Sequence, residues 1–307
     1  MNKRVITFLV CFILGLIALV GLYYALPHII NKNQKTTSDG HKIKDKITIG
    51  VDSWIGYYPL CSKKMKSEMR ILGYILECVD DKADTAGRMA LLKSAKYQFA
   101  VASVDSYLVN GAKENFPATI ITVIDESRGG DAIIAKKDKV GSLEGLKKKK
   151  SYKMAFTPQS PSEHLYRAIL DHFDVPKGVG TIIETNGSEE AYKKLLAGDV
   201  DVAILWEPFV TKILNTPDYI KILGTEDTEK LIVDILLVNR EFSINNPKVV
   251  GLLLSSYFKS LKFYKGNLEV LKKEIKNETK LSDSNIDSML KGVSWVNLFD
   301  NAISWFG

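Results

Sequence analysis

The sequence predicts an α/β protein of two lobes, each a mainly parallel sheet with flanking helices. Two hinge crossings join the lobes, and one transmembrane helix precedes them. Three observations carry this prediction. From Lys46 onward, short β-branched runs alternate with amphipathic segments in two successive blocks, the rhythm of βαβ units. A late apolar run, LIVDILLVN (Leu231–Asn239), follows the second block and precedes a helical C-terminal pattern, so it reads as a strand rejoining the first lobe. The run Val5–Leu26 carries no charge and exceeds the about 20 helical residues that cross a bilayer core.

The apolar run follows Asn2-Lys3-Arg4 and ends near Tyr23 and Tyr24, placed as interfacial belt aromatics on the far side. A cleaved signal has a shorter apolar core and small residues before the cut, whereas cleavage after Ala25 would need a small residue where Tyr23 stands. Cys11 lacks the small residues that precede a lipidated cysteine. Residues 1–30 are therefore expected to be an uncleaved anchor with an inside N-terminus. Residues 31–45, polar and containing Gly40, read as a flexible tether, and 46–307 as the folded domain. Within it, lobe 1 spans about 46–128 and 231–307, and lobe 2 about 129–230.

In the first block, KITIGVD is a strand, and Gly56-Tyr57-Tyr58-Pro59 turns into a helix ending near Leu72. YILECV, YQFAVAS and ATIITVID are strands, with the helix TAGRMALLKSA among them. In the second block DAIIAKK and SYKMAF are strands flanking a short helix capped by Ser142. SPSEHLYRAILDHF starts sharply, with Ser160 as N-cap, Pro161 in the first helical position and Glu163 completing a capping box. GTIIE, DVAILW and YIKILG are strands, and GSEEAYKKLLAG is a helix closed by Gly198. Ligands of open α/β sheets bind beyond the carboxyl ends of the strands, which places a site between the lobes.

Composition narrows the function classes. With 46% hydrophobic and 25% charged residues, the 307-residue chain is ordinary for a globular protein, and its net charge of +6 is mild. Lys147–Lys150 has no interleaved aromatics and reads as a solvated face, so no nucleic-acid partner is expected. Cys61 and Cys78 match no metal spacing. Two free, largely buried thiols are expected, although an oxidising compartment would let them pair.

Four stretches resemble a known family. They are IGVDSWIGYYPL (Ile49–Leu60), ESRGGDAIIAKKD (Glu126–Asp138), TPQSPSEHLYR (Thr157–Arg167) and NGSEEAYKKLLAGDVDVAILWEPFV (Asn186–Val210). In order and spacing they are similar to the type II periplasmic binding proteins of the nitrate, sulfonate, taurine and thiamine-pyrimidine-precursor group. The resemblance covers about residues 46–305. It implies a receptor that delivers a small anionic or zwitterionic organic solute to an ABC permease and its ATPase. The chain would sit in the cytoplasmic membrane by a single pass, with its binding domain in the periplasm or outside the cell. The anchor departs from the freely periplasmic or lipid-tethered relatives.

The candidate ligand residues follow from the same stretches and from strand ends. Ser103, Asp105, Ser160 and Ser162 stand where strand ends meet helix starts, whose free N–H groups suit an oxyanion. Each of Ser160 and Asp105 is equally readable as a cap of its own helix, which leaves Ser162 as the freer donor. Arg128, before Gly129 and Gly130, either forks onto an anion or pairs with Asp125 or Glu126. Trp54 and Trp206 would sandwich an organic ligand or belong to the core. Gly56 and Tyr57 enter through the resembling turn. Glu207 and Asp234, with Asp52, Asp105 and Asp131 near them, make the site acidic, so an amine-bearing ligand or a zwitterion stays open beside an anion.

Catalysis finds little support. Among the four histidines, His28 and His41 precede the folded domain, and His164 and His172 share a helix face without zinc-site spacing. No nucleophile elbow, Walker loop or dinucleotide fingerprint occurs. No catalytic residue, cofactor or metal is expected. A membrane-anchored sensor or envelope-associated binding module is the alternative to transport.

Overall fold

The computed structural model describes residues 42–178 and 180–306. The expected anchor and most of the tether lie outside these residues. Among the described residues no helix is long and apolar enough to cross a membrane. Packed structure begins slightly earlier than the tether reading allowed. Ile43 is 3% exposed, and the Lys44 N–H donates to the Gly73 carbonyl at 2.7 Å.

The strands in chain order are β1 (Asp45–Val51), β2 (Tyr74–Asp80), β3 (Phe99–Ser103), β4 (Ala118–Ser127) and β5 (Asp131–Lys136). They continue with β6 (Tyr152–Phe156), β7 (Gly180–Glu184), β8 (Val202–Trp206), β9 (Tyr219–Gly224), β10 (Val233–Asn239) and β11 (Val293–Trp295). They form a six-stranded sheet ordered β11-β4-β10-β3-β1-β2 and a five-stranded sheet ordered β7-β6-β8-β5-β9. The strands β3, β8 and β10 are buried along their whole length, as strands covered by helices on both faces must be.

The sheets are mixed in a specific way. β1 is parallel to β2 and β3, and β10 is antiparallel to both β3 and β4. In the other sheet β6 is parallel to β7 and β8, while β5 is antiparallel to β8 and β9. β11 is antiparallel to β4 as well, and the other two inverted strands, β5 and β10, are those that enter each lobe directly from the other. With no crossover helix to carry the chain back, such a strand must run away from the cleft while its neighbours run toward it. The crossings are Arg128–Gly130 and residues 225–232. The short strand β11 interrupts a C-terminal pattern that the sequence presents as helical throughout, and it pairs with β4.

Local signals in the sequence translate into structure with one change. Gly198 ends its helix at φ 81°, and Pro161 opens the helix Pro161–His172. The expected capping box there is rearranged. The Ser160 hydroxyl accepts from Ser162 N–H at 3.2 Å, and Glu163 accepts from the Gln159 N–H at 2.7 Å instead of from Ser160. Gln159 has φ 55°, which turns its own N–H toward the helix start.

The cysteines correct the sequence expectation outright, for Cys61 and Cys78 form a disulfide. The helices Tyr58–Cys61 and Lys63–Ile71 fold back over β2, and the two Cα atoms come to 6.0 Å, within bridging range.

Candidate ligand cleft

The first wall of the cleft grows out of β1. Asp52 follows the strand and accepts from the Trp54 N–H at 2.9 Å, turning the chain into a short 3-10 segment, Ile55–Tyr57. That turn aims two aromatic side chains inward. Trp54 Nε1 donates to Asp125 Oδ1 at 3.1 Å, and the Tyr57 hydroxyl donates to Asp234 Oδ1 at 2.7 Å. Two glycines make room for this. A Cβ on Gly56 would lie 2.2 Å from Asp125 Oδ2, and one on Gly130 would lie 2.3 Å from Trp54 Cη2.

Asp125 and Asp234 face each other across β4 and β10, next to a register shift that leaves Ile124 bulged between Val123 and Asp125. Asn301 clasps the bulge, accepting from Val123 N–H at 2.8 Å and donating to the Val123 carbonyl at 3.0 Å. Burial pushes both carboxyls up, Asp125 further by the charge of Asp234.

Arg88 forms the second wall. Its guanidinium, 1% exposed, donates to Asp81 through Nε at 2.7 Å, to Asp52 at 3.0 Å and to the Val101 carbonyl at 2.8 Å. Burial opposes its charge, but the Asp81 and Asp52 carboxylates more than offset this and hold it protonated. Ser103 caps the helix Val104–Lys113, and its hydroxyl donates to Ser106 Oγ at 2.8 Å. From the other lobe come Asp131 at the start of β5, Ser160 at a helix start and Trp206 at the end of β8. Asp131, 2% exposed, is pushed well up, first by burial and then by Asp234 after partial relief from Ser127.

These groups enclose a cavity of about 30 Å³, room for roughly two waters. Its lining includes Asp52, Trp54, Tyr57, Arg88, Ser103 and Asp234 from one lobe, and Asp131, Ser160 and Trp206 from the other. The Trp206 indole N–H, buried here, has no hydrogen-bond partner, and neither does Asp105 Oδ1. A wider groove of about 860 Å³, lined by residues such as Leu254, Phe258, Leu298 and Phe306, lies elsewhere and contains none of the candidate residues.

Several candidates lie away from the cavity or have their polar groups already engaged. Arg128 does not line it: its side chain is 56% exposed and pairs with Glu126 at 3.2 Å, the second of its two readings. Ser160 Oγ donates to the Thr157 carbonyl at 2.7 Å while capping, so it is occupied. Ser162 is fully buried and its hydroxyl has no partner, yet it does not line the cavity, although its neighbour Pro161 does. Glu207 is 3% exposed and turned into its own helix start, accepting from Thr211 Oγ1 at 2.7 Å and Thr211 N–H at 3.0 Å. Gly56 and Gly130 act as space for Trp54, and Asp105 stands behind Ser106, whose hydroxyl donates to its Oδ2 at 3.4 Å.

Sequence reasoning missed Arg88 and the Asp125–Asp234 pair. A signal existed for Arg88, which lies four residues before buried Leu92 on the apolar face of Thr85–Lys93. A charge on that face has to find a buried partner.

No protein-family model and no curated protein matches the chain. Solved structures do match its fold. The alkanesulfonate-binding protein from Xanthomonas axonopodis pv. citri, bound to MOPS, superposes with a TM-score of 0.71 at 14% identity, over 82% of this chain and 86% of that one. The periplasmic aliphatic sulphonate-binding protein from Escherichia coli gives 0.67 at 16% identity, covering 84% and 89%. The periplasmic nitrate-binding protein from Synechocystis PCC 6803 gives 0.62 at 12%, covering 78% and 68%. With its two sheets, two crossings and enclosed cleft, the chain has the two-lobed α/β fold of the periplasmic substrate-binding proteins.

Proposed function

We propose that the chain is the solute-capturing component of an ABC importer. It would be held at the outer face of the cytoplasmic membrane by Val5–Leu26 and would deliver a small organic solute to a permease and its ATPase. The observation that carries this reading is the cavity itself, lined from both lobes by aromatic rings and buried charged groups. A site split between lobes couples binding to closure, because both sets of contacts exist only when the lobes meet. The structural neighbours include receptors for sulfonate and nitrate, which supports the same kind of role.

The test is affinity capture of the full chain from native membranes, followed by mass spectrometry of what comes with it. A permease and an ATPase are expected, together with ATP hydrolysis that rises when the chain is loaded with solute. A kinase or a wall-binding partner in their place would refute transport in favour of sensing.

A further inference from the structure

We propose that the flank of the six-stranded lobe docks onto an anionic bilayer. The contact is the groove between the helix Pro247–Gly266 and the C-terminal helical turns Leu298–Asp300 and Asn301–Trp305. This goes beyond solute capture and does not depend on it. The groove, about 860 Å³, is floored by half-buried Ile121, Leu254 and Phe258. Leu298, Phe299 and Phe306 form its other wall, and with Ile303 they are 56–69% exposed.

These side chains stand on a fixed frame. Asn297 accepts from the Asp300 N–H at 2.9 Å and starts the first turn, and buried Asn301 grips the N–H and the carbonyl of Val123 in β4. Large apolar groups displayed together mark a surface that is covered in use.

The rim is cationic. Lys259, Lys262 and Lys265 line the groove, and no aspartate or glutamate does. Lys265 reaches the Trp295 carbonyl at 3.4 Å, whereas Lys259 and Lys262 have no carboxylate partner among the described residues. They stand three residues apart on the exposed side of their helix, next to the stripe of Leu254, Phe258 and Leu261. Exposed rings beside unpaired lysines suit a membrane interface, where rings enter the acyl boundary and lysine stems extend to the phosphates. A protein partner would need an apolar ridge fitted to the groove and an acidic rim around it; an anionic bilayer offers both features without a fitted shape.

The anchor proposed above would add proximity. Residues 27–41 would join it to the fold, a link of no more than about 55 Å. The bilayer would then stay at high effective concentration beside the groove. Every lining segment belongs to the lobe built on the six-stranded sheet, so docking fixes that lobe and leaves the other free to swing.

The full chain is measured with nanodiscs of phosphatidylcholine, alone or mixed with phosphatidylglycerol. Hydrogen exchange of residues 297–306 and acetylation of Lys259 and Lys262 report on the groove, and Lys193 in the other lobe reports the background. With phosphatidylglycerol both rates are expected to fall about tenfold or more, with Lys193 unchanged, and to recover in high salt. Lys259→Gln combined with Lys262→Gln is expected to weaken docking about fivefold per lysine, read by exchange. Phe299→Ser with Phe306→Ser alters only exposed side chains and is expected to abolish docking, read by acetylation. Slow rates that are equal with the two lipids would overturn the proposal and point to cover by a second copy or another protein. Fast rates with both lipids would overturn it outright. Neither result touches solute capture, which the copurification of a permease and an ATPase decides.

Discussion

Glu207 offers a quantitative test of whether a buried acid belongs to the cleft or to the scaffold. It is 3% exposed, and burial raises its carboxyl from 4.5 to about 7, with partial relief from the Thr211 hydroxyl and N–H. A folded value above the unfolded one contributes stability that is fully present below pH 4.5 and lost as pH rises through about 7. At 1.36 kcal/mol per pH unit, the rise is worth about 3 kcal/mol. Glu207→Gln has the shape of the protonated acid and keeps an acceptor for the Thr211 N–H. The variant is therefore expected to match the wild type near pH 4 and to exceed it by about 3 kcal/mol near pH 8. Urea denaturation of both proteins across that range measures the difference. A stability gap that stays flat with pH would refute the burial argument. Loss of the solute response in a well-folded variant would put Glu207 back among the ligand contacts.

Two further outcomes follow from the same reasoning. Arg88→Met leaves the partly buried Asp52 and Asp81 without their cation and is expected to cost about 3 kcal/mol at neutral pH, measured by denaturant melts. Cys61→Ser with Cys78→Ser removes a cross-link between residues 17 apart and is expected to cost about 3 kcal/mol, with wild type under reductant behaving like the double variant.

How far the sequence reaches depends on the distance over which a feature is decided. Ser142, Pro161 and Gly198 act within one helical turn, and each terminates or starts its helix where the pattern indicates. The two-block alternation and the late apolar run carry the lobe architecture because burial on both faces demands continuous β-branched runs. The inverted direction of β5 and β10 is not written in those runs, since hydrophobic pattern is blind to strand polarity. At the site, Ser103 and Trp206 end their strands and Asp234 lies near the start of its own; they line the cavity together with Trp54 and Tyr57 of the turn after β1, the latter singled out only by the family resemblance. Glu207 follows Trp206 directly, yet alternation at the strand end and the Thr211 hydroxyl turn it away. Arg128 sits in a crossing, where no pleat dictates direction, and the nearest carboxylate takes it. The cystine depended on a tertiary distance between a helix and a strand, which spacing does not encode.

The position of β10 also sets an order of assembly. It occupies the middle of the six-stranded sheet, hydrogen-bonded to β3 on one side and β4 on the other. All of β5 to β9 lie between β4 and β10 in the chain. The first lobe to be synthesised therefore cannot join β3 to β4 until Asn239 has been made, nor complete its sheet until Trp295, whereas the sheet of the second lobe comes from one contiguous segment. During synthesis or export, β3 has one unpaired edge and β4 is unpaired on both sides for as long as the intervening segment takes to emerge, which is the condition under which strands pair wrongly or aggregate. The second lobe can fold at once and hold its entry and exit, β5 and β9, side by side. That pairing brings the arriving β10 back beside its waiting gap, so the later lobe serves as the template that lets the earlier one close.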